Sequence, residues 1–365
     1  MSFEGVLQDI LENLILTSED RQSYTRDADE IRNYILRKMK EKDEDFRRCL
    51  IGASLAGSYL DDLKIEKPDE FDVHIKLQLP YKITVKEIAK PMGCLQLCYE
   101  RNYIRALNIK HPITHISEGY SIGRKKLQTW IRKILESIFL GRELNLLLTS
   151  GRTYRIEYSK YLRGYAVAHT IFAADVNDRN RKISFDFVPA FQFGETEWKS
   201  EKPYNSTGSP WFAVPSPKNK PLPFMICAPH LERDLLSDKK NLKNSLRLLK
   251  AIRDNNEMPH LTSYLLKTVY LWENERHQKC DNFWEQPMGA LLIHMMERLI
   301  KSLRTGYILF YWNSDLNLLD RLDGSEIRDY QCKMHKILIK LKSCRSGTLS
   351  LNELANIFAF KITLK

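Results

Sequence analysis

Residues 57–79 of the chain, GSYLDDLKIEKPDEFDVHIKLQL, decide the fold. From Phe71 onward apolar and polar residues alternate, which predicts a β-strand with one face in the core. Glu70 and Asp72 then share the other face, where two carboxylates this close repel each other unless a cation lies between them. Carboxylate oxygens suit Mg²⁺ or Mn²⁺, so the pattern favours a divalent metal site. An edge strand with solvated acids is the alternative.

A Gly-Ser turn precedes this strand, with Ser58 twelve residues before Glu70. Gly57 can bring its backbone close to a phosphate, and the Ser58 hydroxyl can donate a hydrogen bond to it. Mg²⁺ usually shares a few carboxylates with substrate phosphates. The sequence therefore predicts a phosphate-binding turn beside the carboxylates.

The composition is that of a globular protein with one large domain or two lobes, since 43% of its 365 residues are hydrophobic. The formal net charge of +11 favours polyanionic partners, among which nucleic acids, nucleotides and acidic membranes all qualify. No apolar run reaches the ~18–20 residues that span a bilayer, and the start of the chain does not resemble a signal peptide. We therefore expect a protein inside the cell, without membrane insertion.

Seven cysteines are odd in number and scattered along the chain, which predicts reduced thiols and a cytoplasmic location. Cys94 and Cys98 have no second Cys/His pair nearby. Because a structural zinc site needs about four such ligands, the sequence predicts no zinc.

Hydrophobic periodicity predicts helices over residues 3–16, from Thr25 or Asp27 to Lys42, and over 125–140. It predicts strands over 154–158, 164–176 and 182–188. In the last of these, apolar residues alternate with Ser184 and Asp186, so Asp186 is an acid on a strand whose other face is aromatic core. An acid facing solvent in a hairpin is the alternative.

Residues 194–223 are rich in Gly, Pro, Ser and Asn, and the pattern is mostly helical from Phe224 onward. We therefore predict two domains, 1–200 and 201–365. In a helix over 239–253, four basic residues fall within an arc of about 80°. Such a stripe can follow a nucleic-acid backbone, while a solvated helix face is the alternative. The stripe consists of Lys239, Lys243, Arg247 and Lys250. The residues predicted to bind nucleic acid are Lys42, Lys239, Lys240, Lys243 and Arg247.

These motifs resemble those of one enzyme family. A Gly-Ser turn followed at this distance by E-F-D is similar to the nucleotidyltransferase superfamily that includes DNA polymerase beta and oligoadenylate synthase. The fuller run, with GSY, Lys64 and P-D-E-F-D-V, resembles cyclic GMP-AMP synthase and its animal relatives, the cyclic GMP-AMP synthase-like receptors. The resemblance covers about residues 28–325, because four later runs follow in the family's order: I-S-F-D-F-V-P-A, N-S-L-R-L-L-K, T-S-Y-L-L-K-T and Y-I-L-F-Y-W-N-S-D-L-N-L-L.

The resemblance implies a bilobal α+β nucleotidyltransferase fold, with a mixed β-sheet catalytic lobe and a C-terminal helical lobe joined by a long N-terminal spine helix. It implies that Glu70, Asp72 and Asp186 hold two divalent ions, Mg²⁺ or Mn²⁺. It further implies that Lys250 and Ser263 contact the donor triphosphate and that Tyr264 stacks on a base.

The chain also departs from the family pattern in two places. Cyclic GMP-AMP synthase has W-R-L-S-F-S before its H-I-E, whereas this chain has F-M-I-C-A-P at 224–229, so only Glu232 of that base-reading edge is kept. Residues 236–244, near which the DNA-sensing synthase inserts a zinc-binding thumb, contain neither Cys nor His. The chain is in this respect most similar to the zinc-less, arthropod-type receptors, some of which respond to double-stranded RNA.

The resemblance therefore implies an enzyme activated by nucleic acid, with double-stranded RNA favoured over DNA. It would make a cyclic dinucleotide, cyclic GMP-AMP, from ATP and GTP, as an innate immune messenger that acts on a downstream cyclic-dinucleotide receptor. Two alternatives stay open. One is a non-catalytic binding protein with the same fold, and the other is a template-free polymerase such as an oligoadenylate synthase or a poly(A) polymerase.

Overall fold

The computed structural model describes residues 2–15, 17–65, 69–88, 93–99, 115–140, 144–159, 167–204, 208–216, 224–280 and 282–359, without the side chain of Ser58. Its helices are α1 (Phe3–Leu14), α2 (Ser18–Lys42), α3 (Glu44–Cys49), α4 (Gly57–Leu60), α5 (Arg124–Ile138), α6 (Pro229–Leu236), α7 (Lys240–Asn255), α8 (Ser263–Arg276), α9 (Met288–Thr305), α10 (Gly324–Arg345) and α11 (Leu351–Ile357).

The strands are β1 (Leu50–Ala56), β2 (Glu70–Leu77), β3 (Ile83–Glu87), β4 (Leu95–Tyr99), β5 (Ser117–Glu118), β6 (Ser121–Ile122), β7 (Leu144–Leu147), β8 (Thr153–Tyr158), β9 (His169–Asp175), β10 (Lys182–Phe193), β11 (Trp211–Pro215) and β12 (Phe224–Cys227). All of them belong to one sheet, in which β5, β6, β4, β12, β11, β10, β9, β8 and β7 follow one another. Strand β2 pairs with both β1 and β10, and β3 pairs with β4.

The chain divides into two compact units. The sheet unit comprises Ser18–Leu60 and Pro68–Leu231, and the helical unit comprises Met1–Thr17, Asp61–Lys67 and Glu232–Lys365. This division differs from the predicted boundary at residue 200, because β11 and β12 continue the sheet beyond it. It also assigns α1 to the helical unit, where α1 packs on α7, α9 and α11.

The core of the sheet unit confirms the alternation read from the sequence. Phe71, Val73 and Ile75 of β2 are fully buried on one face. The ring of Phe71 stacks on that of Phe185 in β10, with centroids 5.8 Å apart. Helices α2 and α5 both contact β10. Burial of these aromatic and aliphatic side chains stabilises the pairing of two strands that are far apart in sequence.

Several predicted element boundaries are wrong by five to nine residues. Helix α2 begins at Ser18, not at Thr25 or Asp27, and acidic residues in its first turn favour this start through the helix dipole. Strand β10 continues to Phe193, five residues beyond its predicted end. The strand predicted from residue 164 begins at His169, and the part of the prediction over 164–166 lies outside the described residues.

Candidate active site

Two of the three predicted metal ligands lie side by side on neighbouring strands. Strands β2 and β10 are parallel, and their register places Asp186 directly beside Asp72 and Ser184 beside Glu70. Paired residues of parallel strands point to the same face of a sheet, and so do residues two apart on one strand. Glu70, Asp72 and Asp186 therefore project from one face, while Phe71 and Phe185 fill the other.

The Gly-Ser turn lies against this pair. Gly57 begins α4 with a left-handed φ of 66°, and a Cβ atom at this position would lie 1.8 Å from Oδ2 of Asp72. A side chain larger than hydrogen would thus displace the carboxylate. Glycine is required here both by its backbone conformation and by the close approach of its backbone to Asp72.

The surroundings of Asp186 disfavour its negative charge. Burial raises the pKa of this half-buried carboxyl above its usual value, and the negative charge of Glu70 adds to the effect. A hydrogen bond from Thr170 Oγ1 to Oδ1, 2.6 Å long, acts in the opposite direction and orients the group. A cation among the three carboxylates would relieve this repulsion, and their oxygen-only donor set suits Mg²⁺ or Mn²⁺.

The same sheet face becomes apolar beyond the carboxylates. Buried Ala190, Phe212 and Val214 form a cluster there with the partly buried Val188, Met225 and Cys227. Met225 and Cys227 belong to the F-M-I-C-A-P run, where the family resemblance implies an arginine and a serine that read a base. Side chains without strong hydrogen-bonding groups occupy these two positions instead.

Two further side chains, His74 and Lys76, continue the polar side of β2, and no sequence motif assigns them a role. His74 is paired with Val188 across the strands, and its Nε2 lies 3.7 Å from Sγ of Cys227. Burial lowers its pKa to about 4, so the ring is neutral at physiological pH. Lys76 Nζ lies 5.5 Å from the centre of the Phe212 ring. Their positions two and four residues after Asp72 are the signal that places them on this face.

The predicted nucleotide-binding residues of the helical unit all have protein partners. The buried carboxylate of Glu232 accepts hydrogen bonds from the Tyr264 hydroxyl (2.9 Å) and from Trp312 Nε1 (2.7 Å). Lys250, only 3% exposed, donates to the Leu63 carbonyl at 2.6 Å, and burial lowers its pKa to about 7. The structure thus brings Glu232 and Tyr264 together, while Lys250 contacts the 61–65 segment.

Ser263 is held by a different contact, because its Oγ accepts a hydrogen bond from Arg253 at 3.0 Å. The ring of Tyr264 lies near Phe310, with centroids 6.2 Å apart. Both Ser263 and Tyr264 belong to the first turn of α8. Their assignment to nucleotide binding stays a prediction.

Lys267, which belongs to no predicted site, forms ion pairs with Asp61 and with Glu232, the latter at 2.7 Å. All three residues are at most 6% exposed. Burial alone would lower the pKa of Lys267, but the negative charges of Glu232 and Asp61 raise it above its usual value. The ion pair between Lys267 and Asp61 holds the start of the 61–65 segment against α8.

The structure buries two of the four members of the predicted basic stripe, Arg247 and Lys250, whereas nucleic-acid binding by the others stays a prediction. Arg247 is 8% exposed and donates to both the carbonyl and the carboxylate of Asp62, so it is not available to a phosphate backbone. The helical projection could not reveal this, because Asp62 lies 185 residues earlier in the chain. Lys240 is exposed, Lys243 is half-buried, and Lys239 Nζ donates to the Leu235 carbonyl at 3.1 Å. Lys42, in the sheet unit, is exposed at the end of α2.

The prediction that the protein contains no zinc stays a prediction. Cys94 and Cys98 are both buried. Within the described part of the chain, one group of three side chains with suitable donors, Glu273, His277 and His294, has ligand atoms that all lie within 4.8 Å of one another. No helix described by the structure is long and apolar enough to cross a membrane.

Comparisons with known proteins agree with this architecture. Residues 59–241 match the family model of the Mab-21 protein nucleotidyltransferase domain, and residues 241–336 match that of the Mab-21 protein HhH/H2TH-like domain. The predicted fold class, a nucleotidyltransferase domain with a C-terminal helical domain, is thereby confirmed.

Individual relatives extend the similarity over nearly the whole chain. A cyclic GMP-AMP synthase-like protein of Drosophila melanogaster is 37% identical over 369 residues, which cover 98% of this chain and 99% of that protein. A cyclic GMP-AMP synthase-like receptor of Drosophila eugracilis is 34% identical, over 94% of this chain and 92% of the relative. A receptor of the same description from Ctenocephalides felis is 30% identical, over 89% and 80%. The chain therefore belongs to the Mab-21 nucleotidyltransferase family and, within it, to the cyclic GMP-AMP synthase-like receptors.

Proposed function

We propose that this receptor is an active nucleotidyltransferase that joins ATP and GTP into cyclic GMP-AMP, using two divalent ions, Mg²⁺ or Mn²⁺. The observation that carries the proposal is the register of β2 and β10, which pairs Asp72 with Asp186 and leaves Glu70 on the same face. Burial and the negative charge of Glu70 disfavour the ionised carboxylate of Asp186, a cost that a bound cation would offset. This cost argues against a non-catalytic binding protein.

The three carboxylates would hold the ions through oxygen ligands. When bound, such ions would neutralise the triphosphate and lower the pKa of the attacking ribose hydroxyl. Asp186 would accept the proton of that hydroxyl, and the hydrogen bond from Thr170 fixes its Oδ1 atom. Because Gly57 has no side chain, it leaves room for the Asp72 carboxylate and brings its own backbone close to it, where a phosphate would bind.

The helical unit contains further residues that the family resemblance assigns to nucleotide binding. By the family resemblance, Lys250 and Ser263 bind the donor triphosphate and Tyr264 stacks on a base. A cation and a hydroxyl suit phosphate, and an aromatic face suits any base. A triphosphate next to Lys250 would favour its protonated form, so binding would be coupled to the uptake of a proton.

We propose double-stranded RNA as the activator, acting in the cytoplasm. The net charge of +11 supports a polyanionic partner, and exposed Lys42 and Lys240, with half-buried Lys243, are the side chains that would contact its phosphates. Lys239 would make a weaker contribution because its ammonium group already bonds to a backbone carbonyl. Arg247 is left out of this surface because it is buried.

The test is incubation of the purified protein with ATP, GTP and Mg²⁺ or Mn²⁺, with and without RNA or DNA duplexes of equal length, followed by chromatography of the products. We expect a cyclic dinucleotide that accumulates only with RNA. Linear oligomers would identify a template-free polymerase instead. The absence of any product under all these conditions would contradict the proposal.

A further inference from the structure

The helical unit contains a cavity of about 300 Å³ between α8, α9 and the segment that follows α9. We propose that this cavity binds a small organic phosphate with an aromatic ring, the chemistry of a mononucleotide. It is built from residues 269–309, whereas Glu70, Asp72 and Asp186 belong to the sheet unit. The proposal therefore does not depend on the function assigned to those carboxylates.

The charge of the cavity selects an anion. Among the described residues that line it, three are cationic, Arg276, Arg298 and Lys301, and none is acidic. Glu273, behind the wall, forms ion pairs with Arg276 (2.7 Å) and Arg298 (2.9 Å), so it compensates only part of this charge. Lys301 is exposed. Phosphate groups are bound well by such arrangements, because arginine and lysine make charge-assisted hydrogen bonds to their oxygens.

A divalent cation is the competing ligand, since Glu273, His277 and His294 have suitable atoms, with Glu273 on α8 and His277 at the C-cap of that helix. Electrostatics decides against it. The Glu273 carboxylate already lies between two guanidinium groups, so a metal ion there would meet two positive charges at short range. A phosphate instead gains from the same charges.

The rest of the lining suits an aromatic ring attached to the phosphate. Tyr307 lines the cavity and is 62% exposed, so its ring is accessible to a ligand. The Trp272 side chain is fixed, because its Nε1 donates to the Leu309 carbonyl at 2.8 Å. Both are aromatic surfaces on which a base can stack. Ser302 and Thr305 bring hydroxyl groups to the same wall. The volume is at the lower end of the range for ligand pockets, as a small ligand requires.

The test is isothermal titration of the full chain with AMP and, separately, with inorganic phosphate, in EDTA so that metal-dependent nucleotide binding does not contribute. Lys301→Glu should weaken AMP binding at least ~10-fold, because it reverses the charge of a cavity wall. Arg304→Glu makes the same change of charge on an exposed residue of α9 outside the cavity, and should alter the affinity less than ~2-fold. Tyr307→Ala should weaken AMP binding but leave phosphate binding unchanged.

Three results would overturn the proposal. One is the lack of saturable AMP binding up to several millimolar. A second is an equal loss from Lys301→Glu and Arg304→Glu, which would indicate only general attraction to a basic protein. The third is an equal loss of AMP and phosphate affinity in Tyr307→Ala, which would exclude recognition of the ring. None of these results bears on whether the carboxylates of the sheet unit catalyse nucleotide transfer.

Discussion

Gly57→Ala is expected to reduce catalysis far more than stability. The residue has a φ of 66°, and an alanine in the left-handed region costs about 1–2 kcal/mol of folding free energy. The added Cβ would also lie 1.8 Å from Asp72 Oδ2, whereas ordinary van der Waals contacts begin at 3.4 Å, so the carboxylate must move by about 1.6 Å. Since a misplacement of ~1 Å can lower a rate ~10²-fold, we expect at least that loss of turnover.

The assay compares product formation and urea unfolding of this variant with those of Gly151→Ala. Gly151 has a φ of 80°, but no described atom lies within 4 Å of the Cβ atom that alanine would add. Both variants should therefore lose about 1–2 kcal/mol of stability from the backbone, while only Gly57→Ala should lose activity. In the double variant Gly57→Ala/Asp72→Ala, the loss of stability should be smaller than the sum of the losses in the two single variants. The reason is that Asp72→Ala removes the carboxylate with which the added Cβ atom clashes. Equal turnover in the two single variants would refute the reasoning.

Three further outcomes follow from the helical unit. Lys267→Met should lower the free energy of unfolding by ~3–5 kcal/mol, because it leaves two buried carboxylates without their cation, and a loss below ~1 kcal/mol in urea would contradict this. Because the pKa of Lys250 is about 7 in the folded chain and about 10.4 when unfolded, the unfolded state binds more protons between these values. Stability should therefore rise with pH from about 7 to 10, by up to ~1.4 kcal/mol per pH unit. The rise of stability with pH should be smaller in Lys250→Met. Equal slopes of stability against pH for this variant and the unmodified chain, measured by urea titration, would contradict the prediction. Lys240→Glu should weaken RNA binding and reduce its salt slope by ~1, whereas Arg247→Gln should lower stability. If Arg247→Gln weakened RNA binding in filter assays and Lys240→Glu lowered stability in urea, Arg247 would belong to the RNA-binding surface instead.

The elements around the candidate site could be predicted because they depend on local sequence. The alternation after Glu70 predicts β2, and the same pattern around Asp186 predicts β10. What the sequence could not supply is the parallel register that places Asp186 beside Asp72, since the two residues are separated by several other strands. Only the resemblance to a known family predicts that Asp186 lies next to Glu70 and Asp72.

The errors have a common physical origin. Helical periodicity places Arg247 on a solvent-exposed stripe because it reports direction around one helix and not the segment that covers it. Arg247 donates a hydrogen bond to the carboxylate of Asp62, and Lys250 donates one to the carbonyl of Leu63. Both acceptors lie far away in sequence. The predicted domain boundary lies too early for a similar reason. The Pro- and Gly-rich composition before Phe224 indicates loops, but not that β11 and β12 return to the same sheet.

The central claim is that Asp72 and Asp186 act together as metal-binding catalytic carboxylates, and it is tested most directly by Asp186→Asn. The measurement is Mn²⁺ affinity and product formation in this variant, with Asp178→Asn in the hairpin before β10 as the control. We expect Asp186→Asn to bind Mn²⁺ more weakly and to lose more than ~10²-fold in turnover. Its urea unfolding should remain within ~1 kcal/mol of the unmodified chain, and the control should be unaffected. Near-normal turnover of Asp186→Asn would contradict the assignment.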